Sequence, residues 1–119
     1  MKFYGYDGEI EIMDGAVRIK KGKKDTGRTI SMNDIVSVTL KNLVLTAAGC
    51  IHVQVLGAKT YSYTANITHY ATDINAICYR KPQHEEATRF KDALDKAISE
   101  YKNANVNAGA SNGSSGMPV

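Results

Sequence analysis

Residues 8–21 read GEIEIMDGAVRIKK, and the fold turns on how they are paired. Ile10 and Ile12 alternate with Glu9 and Glu11, which places apolar side chains on one face of an extended chain and acids on the other. Asp14-Gly15 follows, a dipeptide suited to the positive backbone angles of a tight two-residue hairpin turn. Val17 and Ile19 then alternate with Arg18 and Lys20, so a second half-buried strand returns along the first. Charge agrees with the pairing. In residues 1–14 one lysine stands against four acids, whereas residues 18–28 hold Arg18, Lys20, Lys21, Lys23, Lys24 and Arg28 against Asp25 alone. Opposite charges facing each other across a hairpin stabilise it, so this polarity is first an architectural feature.

The same period of two continues outward. Lys21 to Gly27 is a polar loop with two glycines. Ile30 and Met32 resume the apolar pattern, Asn33-Asp34 interrupts it, and Val36, Val38 and Leu40 alternate with Ser37, Thr39 and Lys41. Ile51, Val53 and Val55 oppose Cys50, His52 and Gln54. Gly57-Ala58 begins another turn, Lys59 to Thr64 is a short strand, and Ile74 to Tyr79 is a last apolar one. After Pro82 the period changes: Ala87, Phe90, Leu94, Ala97, Ile98 and Tyr101 form one stripe of a helix over about 83–102. Glu85 and Glu86 at its start and Lys96 and Lys102 near its end suit the helix dipole. The sequence therefore predicts a mainly β domain over 1–102, with about seven antiparallel strands between residues 3 and 80 and one C-terminal amphipathic helix. Residues 103–119, rich in Asn, Ala, Gly and Ser and free of charge, are expected to be a disordered tail.

Seven strands followed by a helix is the layout of a pleckstrin-homology-like (PH-like) barrel, whose helix plugs one open end. The chain resembles a bacterial PH-like family of uncharacterised function through Gly8-x-Ile10-x-Ile12, Val17-x-Ile19-x-Lys21-Gly22 and Ile30-x-x-x-Asp34-Ile35-x-x-Val38. Gly49-x-Ile51-x-Val53, Asp73-Ile74-Asn75-x-Ile77 and the Phe90, Leu94, Ile98 helix complete the likeness, which spans nearly all of residues 5–100. The resemblance implies a binding or assembly module without catalytic residues or cofactor. Many eukaryotic PH domains hold phosphoinositides with a Lys, then a Lys or Arg two residues before an Arg. Thr26 stands two before Arg28 here, so that motif does not carry over.

Composition narrows the classes further. With 119 residues, 43% hydrophobic and 23% charged, the chain is an ordinary small domain. No apolar run approaches the ~18 residues of a membrane span and no signal-peptide core is present, so the expected location is cytoplasmic. No nucleophile motif, phosphate-cradling glycine loop or His-Glu-x-x-His occurs, and His69, Asp73, Asp7 and Asp14 read as turn and surface chemistry, so no enzyme is expected. Cys50 and His52 share a strand face, but with Cys78 and His84 they match no zinc spacing, so no metal is expected; Cys78 reads as a small buried hydrophobe. A net charge of +3 with seven tyrosines scattered away from the basic run does not describe a nucleic-acid surface. Two surfaces remain. Leu43, Val44 and Leu45 place three apolar residues in a connection, a contact for a protein partner or for self-association. The basic loop Arg18, Lys20, Lys21, Lys23, Lys24 and Arg28 is the alternative, a peripheral site for anionic lipid headgroups.

Overall fold

The Asp14-Gly15 turn does what the sequence asks of it. Gly15 takes a φ of 71°, a left-handed conformation that a side chain would strain. In the computed structural model, which describes residues 1–43, 48–58 and 70–116, this turn joins β2 (Gly8–Met13) to β3 (Ala16–Lys21). Ile10 pairs with Ile19 and Ile12 with Val17, while Glu9 faces Lys20 and Glu11 faces Arg18. Opposite charges thus face each other in the hairpin register, although neither pair closes to an ion pair among the described residues. β1 (Lys2–Tyr4) flanks β2, and β4 (Arg28–Ser31) flanks β3, giving a four-stranded antiparallel sheet in the order β1-β2-β3-β4. A 3₁₀ turn at Met32–Asp34, capped by the Ser31 hydroxyl accepting from the Asn33 amide, leads into the second sheet. That sheet has three antiparallel strands, β5 (Ile35–Leu43), β6 (Ala48–Val55) and β7 (Ala76–Arg80). The last element among the described residues is α1 (His84–Gly116).

The protein is therefore mainly β, with seven strands in two antiparallel sheets among the described residues and a C-terminal helix. Among those residues the ladders do not join into a closed barrel. They meet at one corner, where the Tyr6 amide donates to the Cys78 carbonyl at 3.0 Å. Gly5 makes this approach possible, since a Cβ there would stand 2.2 Å from that carbonyl oxygen.

The core lies between the two sheets and α1. Phe3, Ile10, Val17 and Ile19 come from the first sheet, and Ile35, Val38, Ile51, Val53, Ile77 and Tyr79 from the second. Ala87, Phe90 and Leu94 complete it, with Ala97, Ile98 and Tyr101 packed at its edge, so the predicted stripe is the face that docks. Phe3 meets Tyr79 edge-on at 5.9 Å and Phe90 at 5.8 Å, tying both sheets to the helix. The Lys102 ammonium donates to the Ile35 carbonyl at 2.6 Å and the Asn105 amide to Asn33 at 3.2 Å.

Several expectations are corrected. The three-residue β1 is too short to display a period of two, and it stands at the start of the expected strand region. Val36 was expected to point inward with Val38 and Leu40; a register shift between Ile35 and Ser37 gives the inner position to Ile35 and leaves Val36 59% exposed. The helix does not stop near 102: its backbone continues to Gly116, through a stretch with no proline before Pro118. The strand expected at 59–64 lies outside the described residues.

Candidate functional site

Alternation along β6 and β7 places Cys50, His52, Ala76 and Cys78 on the face of the second sheet turned away from the main core. Such a face is normally wet in an antiparallel sheet. Here it is covered: Cys50, Ala76 and Cys78 are fully buried, and with Tyr70 they form a second small core. His52 is only 6% exposed, with its ring edge-on to Tyr70 at 5.6 Å. Its Nε2 lies 3.2 Å from the Asp73 carboxylate, whose other oxygen accepts the Asn75 amide at 2.7 Å. Burial lowers the His52 pKa more than Asp73 raises it, so at neutral pH an uncharged imidazole donates Nε2–H to the carboxylate.

Beside this layer sits an ion pair. Lys21 Nζ is 2.8 Å from Asp7 Oδ2 and donates to the Ala76 carbonyl at 2.6 Å and the Tyr70 carbonyl at 3.3 Å. Asp7 Oδ1 accepts the Cys78 amide at 2.8 Å, and the Asp7 carbonyl accepts the Gly22 amide at 2.7 Å. One aspartate thus links the β1–β2 connection, the end of β3 and the middle of β7. Burial holds the Tyr6 phenol above its ordinary pKa. Cys50 and Cys78 face each other directly in the β6–β7 register, with sulfurs 2.6 Å apart.

The basic run divides in two. Arg18 donates to the Thr26 carbonyl at 2.6 Å, and Arg28 pairs with Asp25 at 2.8 Å and donates to the Ile74 carbonyl. Asp25 also accepts the Lys21 and Gly27 amides; these two bonds and then Arg28 hold its carboxyl far below the usual range. Arg18, Lys21 and Arg28 are therefore structural members of the loop. Lys20, Lys23 and Lys24 make no ion pair among the described residues. Lys20 and Lys23 instead border an open depression of about 240 Å³ together with Tyr4, Tyr6, Gly22 and Glu9. Tyr4 is 58% and Tyr6 48% exposed, and each carries a cation over its ring, Lys2 at 5.6 Å and Arg80 at 5.1 Å. A second open depression of about 290 Å³, between the Asp14-Gly15 turn and α1, is lined by no basic side chain.

Of the other residues singled out by sequence, Leu43 closes β5 opposite Ala48, but its side chain, and Val44 and Leu45 entirely, lie outside the described residues. So does His69. His84 is not near Cys78 chemically; its Nδ1 bonds the Tyr79 hydroxyl at 2.7 Å. The tyrosines were expected to lie scattered away from the basic run; Tyr4 and Tyr6 instead stand exposed beside Lys20 and Lys23. The signal was present in YGYDG, where two tyrosines flank a glycine in a turn. No family model matches the chain, nor does any curated protein or solved structure.

Proposed function

We propose that the chain is a non-catalytic protein-binding module whose two sheets and helix are arranged in the PH-like manner, and that it takes up an acidic segment of a protein partner. The observation that carries this reading is the pairing of two exposed tyrosines with Lys20 and Lys23 around one open depression. Tyrosine supplies large contact area at small entropic cost and is enriched at interfaces, while the neighbouring lysines add charge complementarity toward an acidic partner. The 4 + 3 division of strands and the helix docked on both sheets support the PH-like arrangement. The titrating pairs His52–Asp73 and Asp7–Lys21 serve as internal ties, and His52 and Asp73 border neither depression, which favours binding over catalysis.

Magnitude decides against lipid as the first reading. Lys20, Lys23 and Lys24 would contribute about 1 kcal/mol each at an anionic surface, roughly 3 kcal/mol together. A single myristoyl chain, with a binding constant of about 10⁴ M⁻¹, is itself only marginal. The test is titration with short Glu-rich peptides, with and without an aromatic residue, alongside neutral and anionic vesicles at low and physiological salt. The reading expects peptide binding that weakens with salt and is lost in Lys20→Glu/Lys23→Glu and in Tyr4→Ser/Tyr6→Ser. Sedimentation with anionic vesicles and no peptide binding would transfer the basic residues to the lipid alternative. A molecular mass that rises with concentration by light scattering, and drops back in the tyrosine variant, would make the partner a second copy.

A further inference from the structure

The hydrogen bonds of Cys78 reveal which kind of strand pair it makes. Its amide donates to Asp7 Oδ1 and its carbonyl accepts the Tyr6 amide, so both backbone groups point away from β6. Cys50 and Cys78 are directly opposite in the register and are therefore a non-hydrogen-bonded pair, the site at which antiparallel strands approach most closely. The Cα separation of such pairs, about 4.5 Å, falls within the ~4.4–6.8 Å that a disulfide spans. Both side chains point to the same face, and the sulfurs are already 2.6 Å apart. We propose that Cys50 and Cys78 are a redox modification site, two buried thiols that close to an intrachain disulfide under hydrogen peroxide and reopen under a dithiol, with the β6–β7 register kept.

The chemistry balances with peroxide as oxidant. One cysteine, as thiolate, attacks a peroxide oxygen; the S–O bond forms, the O–O bond breaks and hydroxide leaves, giving a sulfenic acid. The second thiolate attacks that sulfur; the S–S bond forms and the S–O bond breaks, releasing the oxygen as water once protonated. Two thiols and one hydrogen peroxide give one disulfide and two waters. Each sulfur loses one electron and each peroxide oxygen gains one. A small oxidant suits the site because both cysteines are fully buried, whereas a bulky mixed disulfide has no room there. The Cys78 hydrogen bond and then burial push the Cys50 thiol well up, so Cys50 rests protonated and its oxidation quickens as pH rises. The ring closed by the bond encloses residues 51–77, a loop long enough for the crosslink to restrict the unfolded chain appreciably.

The full chain is treated with hydrogen peroxide, quenched, unfolded, alkylated with iodoacetamide and weighed intact. The expected product is a monomer two hydrogens lighter than the untreated chain, with no alkylation, that regains two alkylatable thiols after dithiothreitol. Proteolysis should yield one linked peptide joining Cys50 to Cys78, and neither Cys50→Ser nor Cys78→Ser should give a crosslinked monomer. Oxidised wild type should melt higher than reduced by about 10 °C or more. Two alkylated cysteines after peroxide, accumulation of oxygen adducts without a crosslink, or linked dimers would each overturn the proposal. An oxidised monomer that melts no higher than the reduced one would overturn the claim that the bond fits the native register.

Discussion

Removing the Asp7 carboxylate tests the claim that one residue holds the two sheets together at their corner. Asp7→Ala deletes the acceptor of the Cys78 amide and the partner of Lys21, whose side chains in the pair are only 20% and 14% exposed. A buried amide left without an acceptor costs about 1–2 kcal/mol. Breaking a well-buried ion pair costs about 3–5 kcal/mol, but Lys21 keeps the Ala76 and Tyr70 carbonyls and retains some solvent, so about 1–2 kcal/mol is the appropriate share here. The sum predicts a loss of about 2–4 kcal/mol, a large part of a small domain's stability. Asp7→Asn keeps an oxygen for the Cys78 amide and forfeits only the charge, so it should lose about half as much. Lys21→Met leaves the carboxylate with the amide alone, and combining it with Asp7→Asn should give a coupling of about 1–2 kcal/mol. Urea unfolding at neutral pH, followed by circular dichroism, measures all four proteins, provided the slope against denaturant is unchanged. If Asp7→Ala stays within about 0.5 kcal/mol of wild type, or Asp7→Asn is as damaging as Asp7→Ala, the corner is not held in the way described.

Two further outcomes follow from the packing and the titrating groups. Phe90→Ala empties the point where Phe3 and the helix meet and should cost about 3–5 kcal/mol by urea unfolding; a loss under 1 kcal/mol would show that α1 is not part of the folding unit. His52 is held uncharged by burial, so its folded pKa lies below the unfolded value of about 6.5. The unfolded chain then binds the extra proton first, and the stability His52 contributes is complete above about pH 6.5 and is lost as pH falls through the lower folded value. The melting temperature of wild type should therefore decline below about pH 6.5 more steeply than that of His52→Gln, and parallel curves would refute the assignment.

How far the sequence reaches depends on whether a residue's environment is set by its neighbours along the chain. The β2–β3 hairpin was legible because Ile10, Ile12, Val17 and Ile19 need only one buried face and a turn between them, all within fourteen residues. The helix face was legible for the same reason, since its stripe is a local periodicity. The outer face of β6 was not. Cys50 and His52 look like the wet side of an alternating strand, and they are buried because Asp7, Lys21, Tyr70 and Asp73 arrive there from elsewhere in the chain. The basic run shows the same limit. Six positive charges stand in one short segment, yet the acceptors that engage Lys21 and Arg28 include carbonyls of Tyr70, Ala76 and Ile74. Counting charge along the chain overstates the free charge twofold.

Those long-range contacts also sort the two faces by what each can do. Residues 49–53 of β6 and the first four residues of β7 are buried on both sides, so they are shielded from large partners, and the Cys78 amide is matched inside the protein by Asp7. A bond between Cys50 and Cys78 would therefore be felt as stability and not as a new surface. The outer face of β1–β3 is the reverse: Tyr4, Glu9 and Lys20 lie in one cross-strand row, Tyr4 58% exposed with the Lys2 ammonium over its ring and Glu9 and Lys20 half-buried beside it. A macromolecular partner can reach that row without any strand moving, and Lys20 and Lys23 carry charge that no acid of the chain engages in an ion pair among the described residues. Glu9 is already held by Lys2 at 3.1 Å, which keeps it from cancelling Lys20 and leaves the row net basic where an acidic segment would approach. Recognition and redox chemistry act on opposite sheets, linked through Asp7 and Tyr6, which border the open depression at one end and hydrogen-bond the Cys78 backbone at the other.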